Sequence, residues 1–470
     1  MEYGFLSIVP PLIAISLAAA FKNVFLSLIL GLYSLFVITS AGDFFGSIDT
    51  TVTSLFQVFG DEFSVMTFFD MILISGLMLL IEEAGGISGF IEIVTDKSRL
   101  ITSKKGANIF TWLVGIAVFF SDSLSCLITG AITRTVNESF HISKEKMAYI
   151  IHSTATAVCL IIPLGGWGAF CAGLLSSEGV DNANAVLFQS IPFNFFNLLV
   201  VASIPILAVI GKDFGPMRKA ERREAERALE AEKNCAPSEE NGVFNLKAMK
   251  HHTSAKNLII PIVSLIVIII TGIFVTGKGD FFAGDGVKAL LYANILTLLL
   301  STAMYMKQGI FTLKEAADII TRGCGRILPT VLILVLAFTL GHYLTEIGTA
   351  LYVSSLFTSS ITPGLFPMMV FLMGGVISFA TGSSMGTMAM VAPIAIPTAM
   401  GLGLSIPLTA SAIWGGATFG DQSSPISDTT FLTCSTIGCK PMEHIGTQLP
   451  YTLFIGTIAC ILYVAFGLIL

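Results

Sequence analysis

Apolar runs of roughly 16–24 residues recur along the whole 470-residue chain, close to the ~20 residues a helix needs to cross a bilayer. Lipid offers no partner to backbone N–H and C=O groups, so a spanning segment must be a helix or part of a closed barrel. The runs are continuous and lack the period-two alternation of barrel strands. The chain therefore reads as an all-α, polytopic membrane protein with the lipid bilayer as its first partner. Composition bears this out: 12% of residues are charged and mean hydropathy is +0.84, whereas a soluble domain carries about twice that charge. The eight cysteines are scattered through apolar runs and read as small buried hydrophobes, not as a disulfide framework or zinc site.

Full spans are expected at 5–20, 23–39, 64–81, 188–210, 257–275, 287–305, 327–345 and 446–469, with interrupted spans at 147–177 and 405–436. The start, Met1-Glu2-Tyr3, lacks the basic region of a signal peptide, so 5–20 reads as a retained span. Residues 211–256 form one long polar segment, basic from Lys212 through Arg218, Arg222 and Arg227 to Lys250 and Lys256, with a helix-forming stretch at Met217–Lys233. The positive-inside rule makes it a cytoplasmic, solvated linker of a cell inner-membrane protein.

Lys97, Arg99, Lys104 and Lys105 precede the block 107–140, and Arg134, Lys144 and Lys146 follow its apolar part. Both ends then face the same side, and the arms 107–120 and 124–133 are each too short to span. The block is expected to be a re-entrant hairpin with its tip near Ser121-Asp122-Ser123. Such backbone is tolerated only inside protein or beside a wet cavity. No Lys or Arg occurs from Ile327 to Cys439, so a second hairpin at 364–402, tipped near Thr381-Gly382-Ser383-Ser384, is expected to open to the other side.

One offset carries Ser143 onto Ser405, Ala155-Thr156 onto Ala417-Thr418 and Pro163 onto Pro425, and it also superimposes the spans. Residues 1–210 and 257–470 are then two repeats, each of five spans and one hairpin. Five is odd, so the second copy is inverted. Inverted repeats with broken helices at mid-membrane mark secondary transporters.

The most informative stretch runs from Gly415 to Thr430. Glycine and proline interrupt the helix and free carbonyls. Ser424 is expected to cap a new half-helix with Pro425 at its first position. Asp421 and Asp428 lie here without a basic residue nearby in sequence. An ionised Asp at the bilayer centre costs ~2.5–3.5 kcal/mol on the insertion scale, so it is kept neutral, paired or bound to a cation. Hard cations take oxygen ligands of the kind Ser, Thr and open carbonyls supply. The first half answers with Asp122 between Ser121 and Ser123, and with His152 and Thr154 before Pro163. Asp428 can instead simply favour a helix N-terminus, Asp122 can pair with Arg134, and His152 can be a hydrogen-bonded core residue.

Phe419-Gly420-Asp421 with Ser424-Pro425-Ile426-Ser427-Asp428-Thr429-Thr430 resembles the signature of the NhaC family of Na+/H+ antiporters. So do Asp122-Ser123-Leu124-Ser125 and the run from Ile142 to Ala155. The resemblance implies an ion-transporter-superfamily fold, a homodimeric scaffold, sodium coupling and elevator-like alternating access. Related sequences commonly have Asp where His152 stands, His where Gln422 stands, and Ser-Ser where Gly165-Gly166 stands. The missing acid and histidine count against simple Na+/H+ exchange, and the smaller Gly165-Gly166 make room for an organic solute. The expected site comprises Ser121, Asp122, Ser123, His152, Thr154, Ser383, Ser384, Asp421, Ser424, Ser427, Asp428 and Thr429, with Asp122, Asp421 and Asp428 as the Na+ candidates. The expected partners are Na+ as coupling ion, H+ and a small organic solute, without nucleic acid or other cofactor. Na+/H+ antiport is the leading reading; sodium-coupled amino-acid or organic-acid transport is the alternative. Thr418 stands where a Gly-x-Gly-Asp membrane protease needs glycine, and no phosphate-binding loop for ATP drive exists, so no enzymatic activity is expected.

Overall fold

The computed structural model describes residues 3–21, 23–87, 89, 101–234, 254–279, 285–360 and 362–470. Lys97, Arg99 and the linker from 235 to 253 lie outside them. Among the described residues there is no strand, and the chain runs through twenty α-helices. The first half holds α1 (Val9–Phe21), α2 (Val24–Thr39), α3 (Phe44–Gln57), α4 (Glu62–Glu83), α5 (Lys104–Ala117), α6 (Asp122–Ser139), α7 (Lys144–Ile161), α8 (Gly166–Ser177), α9 (Ala183–Ser190) and α10 (Phe195–Ile210). The linker contributes α11 (Gly215–Asn234). The second half holds α12 (Lys256–Thr276), α13 (Gly286–Lys307), α14 (Leu313–Glu346), α15 (Thr349–Ser360), α16 (Phe366–Thr381), α17 (Ser384–Leu402), α18 (Ile406–Ser423), α19 (Asp428–Ile437) and α20 (Pro441–Ile469). Seven of the described helices are long and apolar enough to cross a membrane, and up to nine spans result if each bent pair counts as one.

The breaks follow from local chemistry. Between α7 and α8 stands Pro163, which cannot donate an N–H to a helix, and the two pieces bend by 52°. Between α18 and α19 stands Pro425. The serines that begin α6, α7, α17 and α18 repeat by the same offset: Ser121, Ser143, Ser383 and Ser405 each accept a hydrogen bond from a first-turn N–H, at 3.4, 3.2, 3.1 and 3.5 Å. Each satisfies one of the donors a helix start leaves free.

Each hairpin tip meets the break of its own half. A β-carbon on Gly165 would sit 3.2 Å from the carbonyl oxygen of Phe120, at the turn between α5 and α6. One on Gly382, at the turn between α16 and α17, would sit 2.8 Å from the carbonyl of Ile426. Gly382 also has φ +69°, a conformation only glycine adopts without cost. The second tip is buried at Thr381, Gly382 and Ser384, while the first, from Ser121 to Leu124, is half-buried. The core between is large: Trp414, Phe170, Phe196 and Phe371 are fully buried.

Three expectations are corrected. The second arm of the first hairpin, α6, runs 18 residues, not the ten of 124–133. An Arg134–Glu138 pair at 2.8 Å and a bond from Asn137 to Thr111 at 2.9 Å carry the helix through its polar end. The half-helix after Pro425 begins three residues later than expected, at Asp428 with Ser427 before it, and Ser424 closes α18 instead. The described start of the linker is docked along one face, while most of its side chains remain exposed. Arg223 pairs with Glu145 and Lys146 with Asp213, Lys104 meets Glu221 at 2.7 Å, and Phe214 stacks on Tyr451 with ring centroids 4.0 Å apart. Together these hold the linker to α5, α7 and α20.

Glu82 and Glu83, at the end of α4, meet Arg326 and Arg322 of α14 at 3.3 and 3.5 Å. They are interfacial ion pairs, as their place at a span end suggests.

Candidate functional site

The end of α18 places Asp421 against the break it precedes. Its Oδ1 accepts from the Ser427 hydroxyl at 2.8 Å and its Oδ2 from the Thr429 hydroxyl at 3.1 Å. The residue is 4% exposed. Ser427 stands at the N-cap of α19, but its side chain turns to the carboxylate and leaves that helix end uncapped by a hydroxyl. Among the described residues no basic side chain forms an ion pair with Asp421 or Asp122.

His152 of α7 continues the network. Its Nε2 lies 3.0 Å from the Thr429 hydroxyl, and its Nδ1 lies 3.0 Å from Nε2 of His444 in α20. Gln448 reaches the same Nδ1 at 3.4 Å and donates to the Gln422 carbonyl at 2.8 Å. The Ser427 and Thr429 hydroxyls also lie 2.8 Å apart, so either can donate to the other. In the arrangement where both give their single protons to an ionised Asp421, His152 donates from Nε2 and accepts at Nδ1, and His444 donates from Nε2. His444 Nδ1 is then an acceptor, buried without a partner. Asp421, Thr429, His152 and His444 thus form one hydrogen-bonded line from the break in α18–α19 to the start of α20.

Asp122 is the first residue of α6. Its Oδ1 accepts from the backbone N–H of Ser123 at 2.8 Å and from the Ser123 hydroxyl at 3.4 Å. With Ser121 it lines a cavity of about 130 Å³ whose other walls include Trp167, Gly166, Phe120 and Met385. Space of that size holds a few waters, each with about 30 Å³ in the liquid. The two acids belong to one region. Cys126 on α6 lies within electrostatic reach of both, and its thiol is 3.8 Å from the Thr429 carbonyl.

Residues 168–468 match the Na+/H+ antiporter family. The chain belongs to that family.

Two relatives and one solved structure extend the match. The malate-2H+/Na+-lactate antiporter of Bacillus subtilis is 32% identical over 178 residues, 37% of each chain. The Na+/H+ antiporter NhaC of Alkalihalophilus pseudofirmus is 32% identical over 109 residues, 23% of this chain and 24% of that one. The YdaH transporter of Alcanivorax borkumensis, a crystal structure with an unusual topology, superimposes with a TM-score of 0.55 at 13% identity over 89% of this chain and 88% of its own. That likeness bears on the fold. As a member of the Na+/H+ antiporter family the chain is an integral membrane transporter of the cation and solute antiport class.

The antiporter's remaining sequence candidates separate. Ser384 is buried beside the cluster, its hydroxyl 3.4 Å from the Ala417 carbonyl of α18. Ser383 caps α17. Ser424 donates to the Phe379 carbonyl at 2.8 Å and ties α16 to the break. Thr154 bonds back to the carbonyls of Ile150 and Ile151, both at 3.0 Å, where α7 meets Gly115 of α5. It stands apart from the cluster. Asp428 is exposed and begins α19. Arg134 pairs with Glu138.

Sequence reasoning missed His444 and Gln448, which only packing of α20 on α7 brings to His152. It also missed two buried acids. Asp70 of α4 accepts from Asn294 of α13 at 3.2 Å, and Glu178 lies near the Ser177 hydroxyl at 3.4 Å. Each keeps one oxygen without a partner. An aspartate inside the otherwise apolar span 64–81 was the available signal for the first; Glu178 at a helix end gave none. Among the described residues no three His, Cys, Asp or Glu side chains cluster as a metal site, so a cation here would rest on one carboxylate with hydroxyl and carbonyl oxygens.

Proposed function

We propose that this chain is an NhaC-type secondary transporter that exchanges Na+ for H+ by elevator-like alternating access across the cell inner membrane. The observation that carries this reading is Asp421, buried at a helix break, held by two hydroxyls and free of any described basic partner. A hydrogen bond to a charged group contributes about 1.5–3 kcal/mol. Two of them offset an insertion cost of about 2.5–3.5 kcal/mol. The carboxylate is thereby poised between a proton and a cation rather than committed to either. Na+ would take Asp421, Ser427, Thr429 and freed carbonyls, with Asp122, Ser121, Ser123 and Ser384 completing the region. His152 would serve the proton side through Thr429.

Within this reading 1–210 and 257–470 are inverted repeats joined by the cytoplasmic segment 211–256, and the hairpins 107–140 and 364–402 belong to a mobile body. A second copy completes a homodimer through the remaining helices.

The test is reconstitution in proteoliposomes with a pH-sensitive dye. An imposed Na+ gradient should move protons without any organic solute, and Asp421→Asn should abolish that movement while the protein remains folded. Full exchange in Asp421→Asn removes Asp421 from the site.

The Asp122 cavity favours a second reading. Its one carboxylate and the Trp167 ring suit the ammonium group of an amino acid. Solute counterflow with no proton signal from Na+ alone would establish it over antiport.

A further inference from the structure

A second cavity, of about 560 Å³, lies where the start of α5, the end of α10 and the linker meet. Its walls carry five cationic side chains against two carboxylates, Asp213 and Glu221. Both carboxylates are engaged. Glu221 holds Lys104 at 2.7 Å and the Ser143 N–H at 2.8 Å. Asp213 holds Lys146 and accepts from the Tyr451 hydroxyl at 2.9 Å. Lys105 donates to the Val209 carbonyl at 2.8 Å. Among the described residues, Lys105, Lys212 and Arg218 have no acidic partner, and all three are exposed. Asn108, 7% exposed, lines the same cavity. The positive end of α5, beginning at Lys104, opens beside it.

We propose that this cavity binds a phosphate-bearing anion that ties α5 to the linker. Three cations without carboxylates exceed what one carboxylate ligand neutralises. A phosphate group brings more charge and three acceptor oxygens, which the fork of Arg218 and the ammonium groups of Lys105 and Lys212 match. The volume falls in the range of small-molecule sites, about 300–1,000 Å³. Basic pockets at the ends of membrane helices hold phospholipid head groups, and Leu207 and Ala208 on the wall offer an apolar surface to an adjoining chain. A soluble phosphorylated metabolite presents the same group. The site is separate from the acidic cluster and does not depend on what the protein transports.

The experiment measures the melting temperature of the full-length protein in detergent with four probes: phosphatidic acid, whose phosphate is a monoester, phosphatidylcholine, inorganic phosphate and ATP. Sodium and ionic strength are held constant with chloride. The wild type should gain several degrees over the chloride and phosphatidylcholine controls. A gain from phosphatidic acid alone identifies the lipid source; a gain from phosphate or ATP identifies the soluble one. Lys105→Gln/Lys212→Gln/Arg218→Gln should lose most of the gain with its ligand-free melting temperature unchanged. If the triple variant does not fold, Arg218→Gln alone should lose about half of it. No gain in the wild type, or a full gain in a folded variant, overturns the proposal.

Discussion

When Asp421 is ionised and both neighbouring hydroxyls donate to it, every proton in the line that ends on it points the same way. Ser427 and Thr429 donate to the carboxylate, His152 donates to Thr429, and His444 donates to His152. Protonating Asp421 releases that constraint and lets the order reverse. His152→Leu removes the donor to Thr429 and leaves the His444 N–H buried without an acceptor, at about 1–3 kcal/mol for an unsatisfied group. The expected outcome is a lower melting temperature and at least a tenfold slower exchange, measured as dye recovery in proteoliposomes. Asp428 provides the contrast. It is exposed and sits at the start of α19, where a negative charge is worth about 0.3–1 kcal/mol. Asp428→Asn should therefore leave exchange within about twofold of wild type; loss as deep as that of Asp421→Asn would return Asp428 to the site.

At the scale of the element, the hairpin tips depend on close backbone contact. Gly382→Ala puts a methyl 2.8 Å from the Ile426 carbonyl at a positive φ, where strain of about 1–3 kcal/mol is expected. Thermal unfolding should show a loss of that order, and transport should fall with it because the tip supports Ser384 and the break that carries Asp421. The breaks themselves were legible in sequence, since proline and glycine act locally: Pro163 and Pro425 predicted both. Cap positions were less so. Ser424 and Ser427 are equally good caps on paper, but neither hydroxyl caps α19, because Asp421 accepts from Ser427 and Phe379 from Ser424. The length of α6 was hidden for a similar reason, because the partners of Arg134 and Asn137 that extend it are recognised only once the helix exists.

Across the whole molecule, the apolar spans were readable because hydropathy runs are properties of the chain alone. The pairing of His152 with His444, and of Asp70 with Asn294, joins segments 292 and 224 residues apart, and nothing local announces it. The linker's docking was equally invisible, since its charges read the same whether they face water or α7. Global stability should register the transported ion. At Na+ tenfold above its dissociation constant, binding stabilises the folded state by about 1.4 kcal/mol. Melting temperature should rise with Na+ but not with K+ in the wild type, and Asp421→Asn should be insensitive to both.

The offset that overlays the halves carries Asp122 onto Ser384 and Cys159 onto Asp421. At these matching positions each half supplies one acid where the other has a neutral side chain. The two carboxylates of the region therefore come from non-equivalent places, and a copy of either half alone would carry only one of them. Which way cargo moves is left to the imposed gradients.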